Sequence, residues 1–295
     1  MARSARSQRV CTPKSGRISS AHMQEAGDYR RLDRFDAVEA TGEAELFQTF
    51  LEQVDRIADV SARRRRSFAL VGARPGSHLV DVGCGLGTAA REMAALVAPG
   101  GSVIGVDVSD SMVSAAEERT PLGTAEVTFR VGDATSLPIE DGELTGYRAE
   151  RLYQHLSRPD LALAEASRVL ATGGRLVLVD QDWDCLAFDS DDRTTTRAVI
   201  RAFADSLVDG WIGRRYHALL VDAGFVDIDV IAETVASADY ATYGFVTTLV
   251  ARSAVDQDSV SSDVAERWLN EQRQRAEAGR WFMAMTHYLA AATRS

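Results

Sequence analysis

The sequence predicts an α/β fold, a mostly parallel sheet with helices packed on both faces. Three observations predict it. A largely apolar run, His78-Leu-Val-Asp-Val82, enters a turn with glycines at alternate positions, Gly83, Gly85 and Gly87. A helical segment, Thr88–Val97, and a Pro99-Gly100-Gly101 break then lead to a second strand, Ser102–Val108, whose end carries Asp107. A third strand, Val127–Asp133, runs into Ala134. Strands alternating with helical stretches mark parallel βαβ units.

The first turn carries the chemistry. Its glycines let the chain turn sharply and bring main-chain N–H groups to a ligand that any Cβ would push away. The interval from Gly83 to Asp107 suits an acid that receives two ribose hydroxyls, and Asp133 stands where a second carboxylate meets an adenine amino group. The alternate spacing departs from the Gly-x-Gly-x-x-Gly of dinucleotide sites. With Asp81 beside it, the turn offers both N–H donors and an acid, which suits the carboxylate and ammonium of a methionine moiety.

The remaining elements follow in order. A fourth strand is expected at Leu144–Glu150 and a fifth at Arg175–Asp180, with later strands near Val226–Ile231 and His287–Ala292. Between them lies a helical insertion, Asp191–Val208, within a cap spanning about 185–224. Upstream, Leu46, Phe47, Phe50, Leu51, Val54 and Ile57 recur at helical spacing, so residues 28–71 read as a helical lid over the cofactor. Tyr29, Arg30 and Arg34 either fold over the cofactor or simply start that helix. Arg63-Arg-Arg-Arg66 reads as a solvated, cationic helix end rather than a patch for an acidic substrate. Residues 1–27 read as a disordered leader; residues 72–295 hold the α/β domain.

Composition narrows the function classes. A net charge of −10 argues against a generic nucleic-acid binder. Lys14 is the one lysine, a bias that fits high-GC coding rather than function. The cysteines, Cys11, Cys84 and Cys185, lack metal-ligand spacing and point to a reducing cytoplasm. No apolar run approaches a membrane span, and metal ligands are not expected.

At these residues the chain resembles the class I S-adenosylmethionine-dependent methyltransferases, in the small-molecule branch that includes the ubiquinone and menaquinone enzymes. Val80-Asp-Val-Gly-Cys-Gly-Leu-Gly87 resembles the first motif, Asp107 the ribose acid and Gly132-Asp-Ala134 the adenine-side motif. The likeness continues through Arg151-Leu-Tyr-Gln-His-Leu156 and Glu165–Arg175, and returns at Leu219–Phe225. It departs at Leu144-Thr145, where an aromatic-Asp pair is usual, and at Thr172-Gly-Gly174, where Pro-Gly-Gly is usual. The resemblance implies a Rossmann-like, seven-stranded fold and S-adenosyl-L-methionine as cofactor. Its implied contacts are Asp81, Gly83, Gly85, Gly87, Asp107, Val108, Asp133, Ala134, Glu150 and Arg151, while Met112 either packs on the adenine through its polarizable sulfur or serves the core.

Methyl transfer is an in-line displacement, so an enzyme chiefly aligns the nucleophile and, for a hydroxyl or amine, removes a proton. His155 beyond the fourth strand and Asp180 ending the fifth are the expected base and its orienting acid; a packing role for His155 stands beside that reading. Asp180-Gln-Asp-Trp-Asp184 reads either as an acceptor site, with Trp183 stacking and Asp182 supplying charge, or as a capping turn. His217 is a further acceptor candidate or a surface residue. The expected reaction is methylation of O, N or C on a small, aromatic or polyketide-like secondary metabolite. The expected partners are that acceptor and a second copy in a homodimer, with no nucleic acid. Two rivals stay open: a cofactor-retaining fold that catalyses another reaction such as cyclisation, and a cofactor-binding module without turnover.

Overall fold

The computed structural model describes residues 44–121 and 126–295. The leader, the first part of the expected lid with Tyr29, Arg30 and Arg34, and Cys11 lie outside the described residues.

Among the described residues two helices come first, α1 (Ala44–Asp55) and α2 (Ala58–Val71), the second closed by Gly72 in the left-handed conformation. The α/β core follows: β1 (His78–Val82), α3 (Thr88–Val97), β2 (Ser102–Asp107), α4 (Asp110–Glu118), β3 (Val127–Val131), β4 (Leu144–Glu150), α5 (Pro159–Val169) and β5 (Leu170–Phe188). Next are α6 (Arg193–Ser206), α7 (Ile212–Asp222) and β6 (Phe225–Ser237). A short α8 (Tyr240–Tyr243), α9 (Phe245–Asp256), α10 (Ser262–Glu277) and β7 (Met283–Arg294) complete the chain.

The seven strands form one sheet in the order β3-β2-β1-β4-β5-β7-β6. Strands β1 to β5 pair in parallel, while β7 runs antiparallel to both β5 and β6. The mostly parallel, helix-covered fold expected from the sequence is therefore the fold observed. One face of the sheet packs Val177, Val179 and Leu289 against α2 and α3 through Phe68 and Met93. The other packs Tyr147, Leu178 and Ala290 against α5 and α7 through Leu163, Tyr216 and Leu220.

Two expectations need correction. The fifth strand does not stop at Asp180 but runs to Phe188, because the antiparallel partner β7 supplies a ladder for its extra residues up to the Phe188–Met283 pair. The second correction concerns the cap. Besides α6, it contains α9 and α10 from a segment between β6 and β7 that the sequence reading left without helices. These helices bury Phe203, Leu249, Val250, Ala254, Trp268 and Leu269 in one cluster with Trp183, Trp281 and Met283 at the strand tips. The signal was present: Val246, Leu249, Val250 and Ala254 recur at helical spacing.

Candidate active site

Where β1, β2 and β4 end and the antiparallel β7 begins beside β5, the described residues enclose a cavity of about 570 Å³. It has two parts. The first is walled by the glycine turn, Asp107, Val108, Met112 and Gly132–Thr135. The second lies under the helical cap, against Trp183, Phe203, Tyr243, Phe245, Leu249 and Met285. Helices α1 and α2 close one side with Leu51, Val54, Val60 and Arg63, together with Ile57 at their junction.

The turn is built by its glycines. Gly83 and Gly85 both have positive φ, 71° and 49°, and both border the cavity with main chain. Gly87, also at positive φ, does not border it; a Cβ there would stand 2.5 Å from the Phe129 ring. Gly87 thus admits the packing of β3 against the turn. The amide of Gly85 donates to Asp107 Oδ2 at 2.8 Å and that of Ser109 to Oδ1 at 3.0 Å, which fixes the carboxylate at the cavity wall. Ser109 also caps α4, its Oγ accepting from the Met112 amide. Asp133 is exposed, its Oδ1 accepting from Thr135 N and Oγ1 while it borders the cavity beside Ala134.

A charged cluster joins the two parts. Arg148, 2% exposed, donates to Asp81 Oδ1 and Glu150 Oε2, and its Nε donates to Ser67 Oγ at 2.7 Å. Arg63 Nε stands 3.8 Å from Glu150 Oε1. Burial alone would raise the Glu150 carboxyl, but the guanidiniums of Arg148, Arg151, Arg63 and Arg64 outweigh it and lower its pKa to about 2. Arg151 follows at φ 55°, a strained conformation for a side-chain-bearing residue, with its amide bonded to Val179 O. The arginine run of α2 is consequently not a solvated end. Arg63 and Arg64 are buried inside the helix, paired with Glu150 and with Asp55 and Glu92, and only Arg65 and Arg66 are exposed.

The pleat of β5 sorts the stretch 180–184. Asp180 is fully buried on the α7 face, where Tyr216 Oη donates to its Oδ2. Burial raises its pKa to about 7 against that hydrogen bond. Asp182 lies on the same face and accepts from Arg214 Nη2 at 2.6 Å. Neither borders the cavity, because alternate strand residues point to opposite faces. The expected Asp180–His155 pair does not form, and Asp182 is not available to charge an acceptor. Gln181 and Trp183 are the residues of this stretch that face the cavity. His217 is exposed on α7, away from it.

His155 does border the cavity, held by a short relay. Trp183 Nε1 donates to Gln154 Oε1 at 2.9 Å, and Gln154 Nε2 lies 3.0 Å from His155 Nε2. Indole N–H only donates, so the Gln154 oxygen faces Trp183 and its amino group donates to His155 Nε2.

His287 is a cavity residue not expected from the sequence. It sits on β7 directly opposite Gln181 on β5, is 6% exposed and lines the cavity. Burial, reinforced by the Arg63 charge, lowers its pKa well below the ordinary histidine value. Its strand had been recognisable, but which side of that strand met the cavity was not.

No helix among the described residues is long and apolar enough to cross a membrane, and no cluster of metal-ligating side chains is found among them.

Residues 80–178 match the sequence profile of the family described as "Methyltransferase domain". An uncharacterized 37.1 kDa protein in transposon TN4556 of Streptomyces fradiae is 37% identical over 245 residues, 81% of this chain and 70% of that protein. The demethylmenaquinone methyltransferase of Symbiobacterium thermophilum is 32% identical over 144 residues, 46% of this chain and 57% of the enzyme. The match thus spans little more than half of that enzyme. The structure of geranyl diphosphate C-methyltransferase from Streptomyces coelicolor A3(2) superposes with a TM-score of 0.51 at 19% identity, covering 80% of each chain, and shares the fold. With the glycine turn, the acid closing β2 and the seven-stranded order in place, this chain belongs to the class I S-adenosylmethionine-dependent methyltransferases, whose cofactor is S-adenosylmethionine.

Proposed function

We propose that this protein transfers the methyl group of S-adenosylmethionine to O, N or C of a small, largely apolar acceptor. The observation that carries the reading is a two-part cavity among the described residues, with a glycine turn and an acid at one end and an aromatic, aliphatic chamber at the other.

The chain's own groups fit the cofactor. Asp107 keeps lone pairs for two ribose hydroxyls beyond those taken by Gly85 and Ser109. Val108, Met112, Asp133 and Ala134 border the space for the adenine. Asp81, Gly83, Gly85, Glu150 and Arg151 border the space for the amino-acid end. Glu150 Oε1, buried and without a hydrogen-bond partner among the described residues, suits an ammonium group. Gly87 supports the turn from behind. When bound, the cofactor supplies an electrophilic methyl carbon on a sulfonium; the protein aligns the acceptor, excludes water and takes up any released proton.

A cytoplasmic setting and a secondary-metabolite acceptor accompany this reading, the latter supported by Trp183, Phe203 and Phe245 in the chamber. Calorimetric titration of S-adenosylmethionine and S-adenosylhomocysteine into wild type and Asp107→Ala tests it first. Saturable binding weakened at least tenfold by the substitution, followed by transfer of labelled methyl to a member of an acceptor panel, is expected. Binding with no turnover on any acceptor favours the cyclisation or non-catalytic rival. No binding by wild type overturns the proposal.

A further inference from the structure

We infer that His287, set against Gln181 and Arg63, is the proton acceptor for a neutral hydroxyl of phenol or enol type, so that the methylated atom is oxygen. This rests on the proposed methyl transfer and narrows it to one atom class.

The argument is geometric. His287 and Gln181 are cross-strand partners in the antiparallel β5–β7 pair, so their side chains share one face of the sheet. Both line the cavity, at 6% and 8% exposure. Among the described residues, His287 Nδ1 and Gln181 Oε1 have no hydrogen-bond partner, although each is buried. Buried polar atoms are ordinarily paired, and an unpaired imidazole nitrogen and an unpaired carbonyl oxygen on cross-strand partners that line one cavity fit a ligand that donates. His155, the other histidine at the cavity, already has Nε2 engaged by Gln154.

The charges select the donor. Arg63 faces His287 from α2, Glu150 from the end of β4 and Arg151 from the turn that follows it. Glu233 pairs with it across β6 but is itself ion-paired with Arg66. On the cap side the neighbouring lining is Trp183, Met285 and Phe245, which carry no charge. Arg63 Nε has no hydrogen-bond partner among the described residues and meets Glu150 only as an ion pair at 3.8 Å, leaving it to face a developing oxyanion. The acids that were expected to receive a cationic amine, Asp180 and Asp182, lie on the opposite face, and the carboxylates that do line the cavity are engaged, Asp55 by Arg64, Asp59 by Tyr243 and Glu150 by Arg148. The lowered pKa of the buried imidazole keeps it in the neutral form, the one with a lone pair free for a proton.

In the step, the hydroxyl O–H bond breaks and its proton passes to the bare imidazole nitrogen. The oxygen lone pair forms the new bond to the methyl carbon as the carbon–sulfur pair leaves with sulfur. One positive charge moves from sulfonium to imidazolium, and no other reactant is needed.

The test uses protein carrying 15N-histidine and saturated with S-adenosylhomocysteine, with 2-naphthol and 2-naphthylamine as probes. His287→Gln assigns the His287 ring resonance. We expect saturable shifts of that ring with 2-naphthol, and labelled methyl transfer to 2-naphthol from S-adenosylmethionine. At pH 7 His287→Gln should lower that transfer at least 100-fold and leave a rate rising tenfold per pH unit, with S-adenosylhomocysteine affinity within threefold of wild type. No shift of the wild-type ring, binding without transfer, transfer to the amine alone, or an unchanged pH profile in His287→Gln would each overturn the inference. The wild-type spectrum answers even where the variant folds poorly. If S-adenosylhomocysteine itself fails to bind, the proposed function falls first; if it binds and 2-naphthol misses His287, only this inference falls.

Discussion

Asp81 and Arg148 form a buried ion pair, Oδ1 to Nη1 at 2.5 Å, in which β4 neutralises the acid that precedes the glycine turn on β1. The strands are adjacent and the two residues are register partners, so the pair follows directly from the sheet order. Glu150, two residues along β4, shares the same guanidinium.

Removing Arg148 should therefore strand two carboxylates at once. Arg148→Ala is expected to lose about 3–5 kcal/mol of stability in chemical denaturation, the range for breaking one partner of a buried pair. Arg148→Lys should recover only part of it, because an ammonium cannot reproduce the fork to Asp81, Glu150 and Ser67. Equal stability of the alanine variant would show that the pair is not buried in solution.

Asp180→Asn should be tolerated by activity and should change the pH dependence of stability. The native carboxyl has its pKa raised to about 7, from 3.8, so folding favours its protonated form. Its stability contribution is thus present below about pH 4 and lost as pH rises through about 7. The asparagine, which still accepts from Tyr216, should raise stability above pH 7 by on the order of 2 kcal/mol and flatten the profile between pH 4 and 7. A melting series across that window decides it. Lost turnover in a well-folded Asp180→Asn would restore the acid to the reaction.

The glycines of the first turn should separate by function. Gly87→Ala forces a Cβ onto Phe129 at a positive φ and is expected to cost about 2–4 kcal/mol, partly recovered by Phe129→Leu. Gly85→Ala meets only Leu51 at 3.2 Å and carries about 1–2 kcal/mol of backbone strain. Its larger effect should be on S-adenosylhomocysteine affinity, read by calorimetry alongside thermal melts.

Trp183→Phe keeps a ring against Phe203, whose centroid lies 4.6 Å away, but removes the donor that orients Gln154 and through it His155. The expected loss is about 1 kcal/mol of stability. The acceptor KM should rise several-fold with S-adenosylhomocysteine binding unchanged. A change confined to cofactor affinity would place Trp183 in the other part of the cavity.

Much of the core was legible because it is local. The alternation of strand and helix, the glycine turn after Val82 and the acid closing β2 are each written within a few consecutive residues, where backbone sterics and hydrophobic periodicity act directly. What lay beyond reach depends on pairing between distant segments. Whether Asp180 or Gln181 meets the cavity is set by the register of β5 against β4 and β7, and a shift of one residue exchanges the faces. The same pairing brings His287, more than a hundred residues away in sequence, opposite Gln181. It also extends β5 to Phe188, while packing between distant helices and strands buries Arg63 and Arg64 against Glu150 and Asp55 and sets α9, backed by α10, against the chamber. The sequence by itself determined the fold class and the cofactor-side motif, because both are encoded in short-range pattern. The tertiary structure decided which polar groups face the acceptor, because a strand's side chains acquire an inside and an outside only when its neighbours are in place.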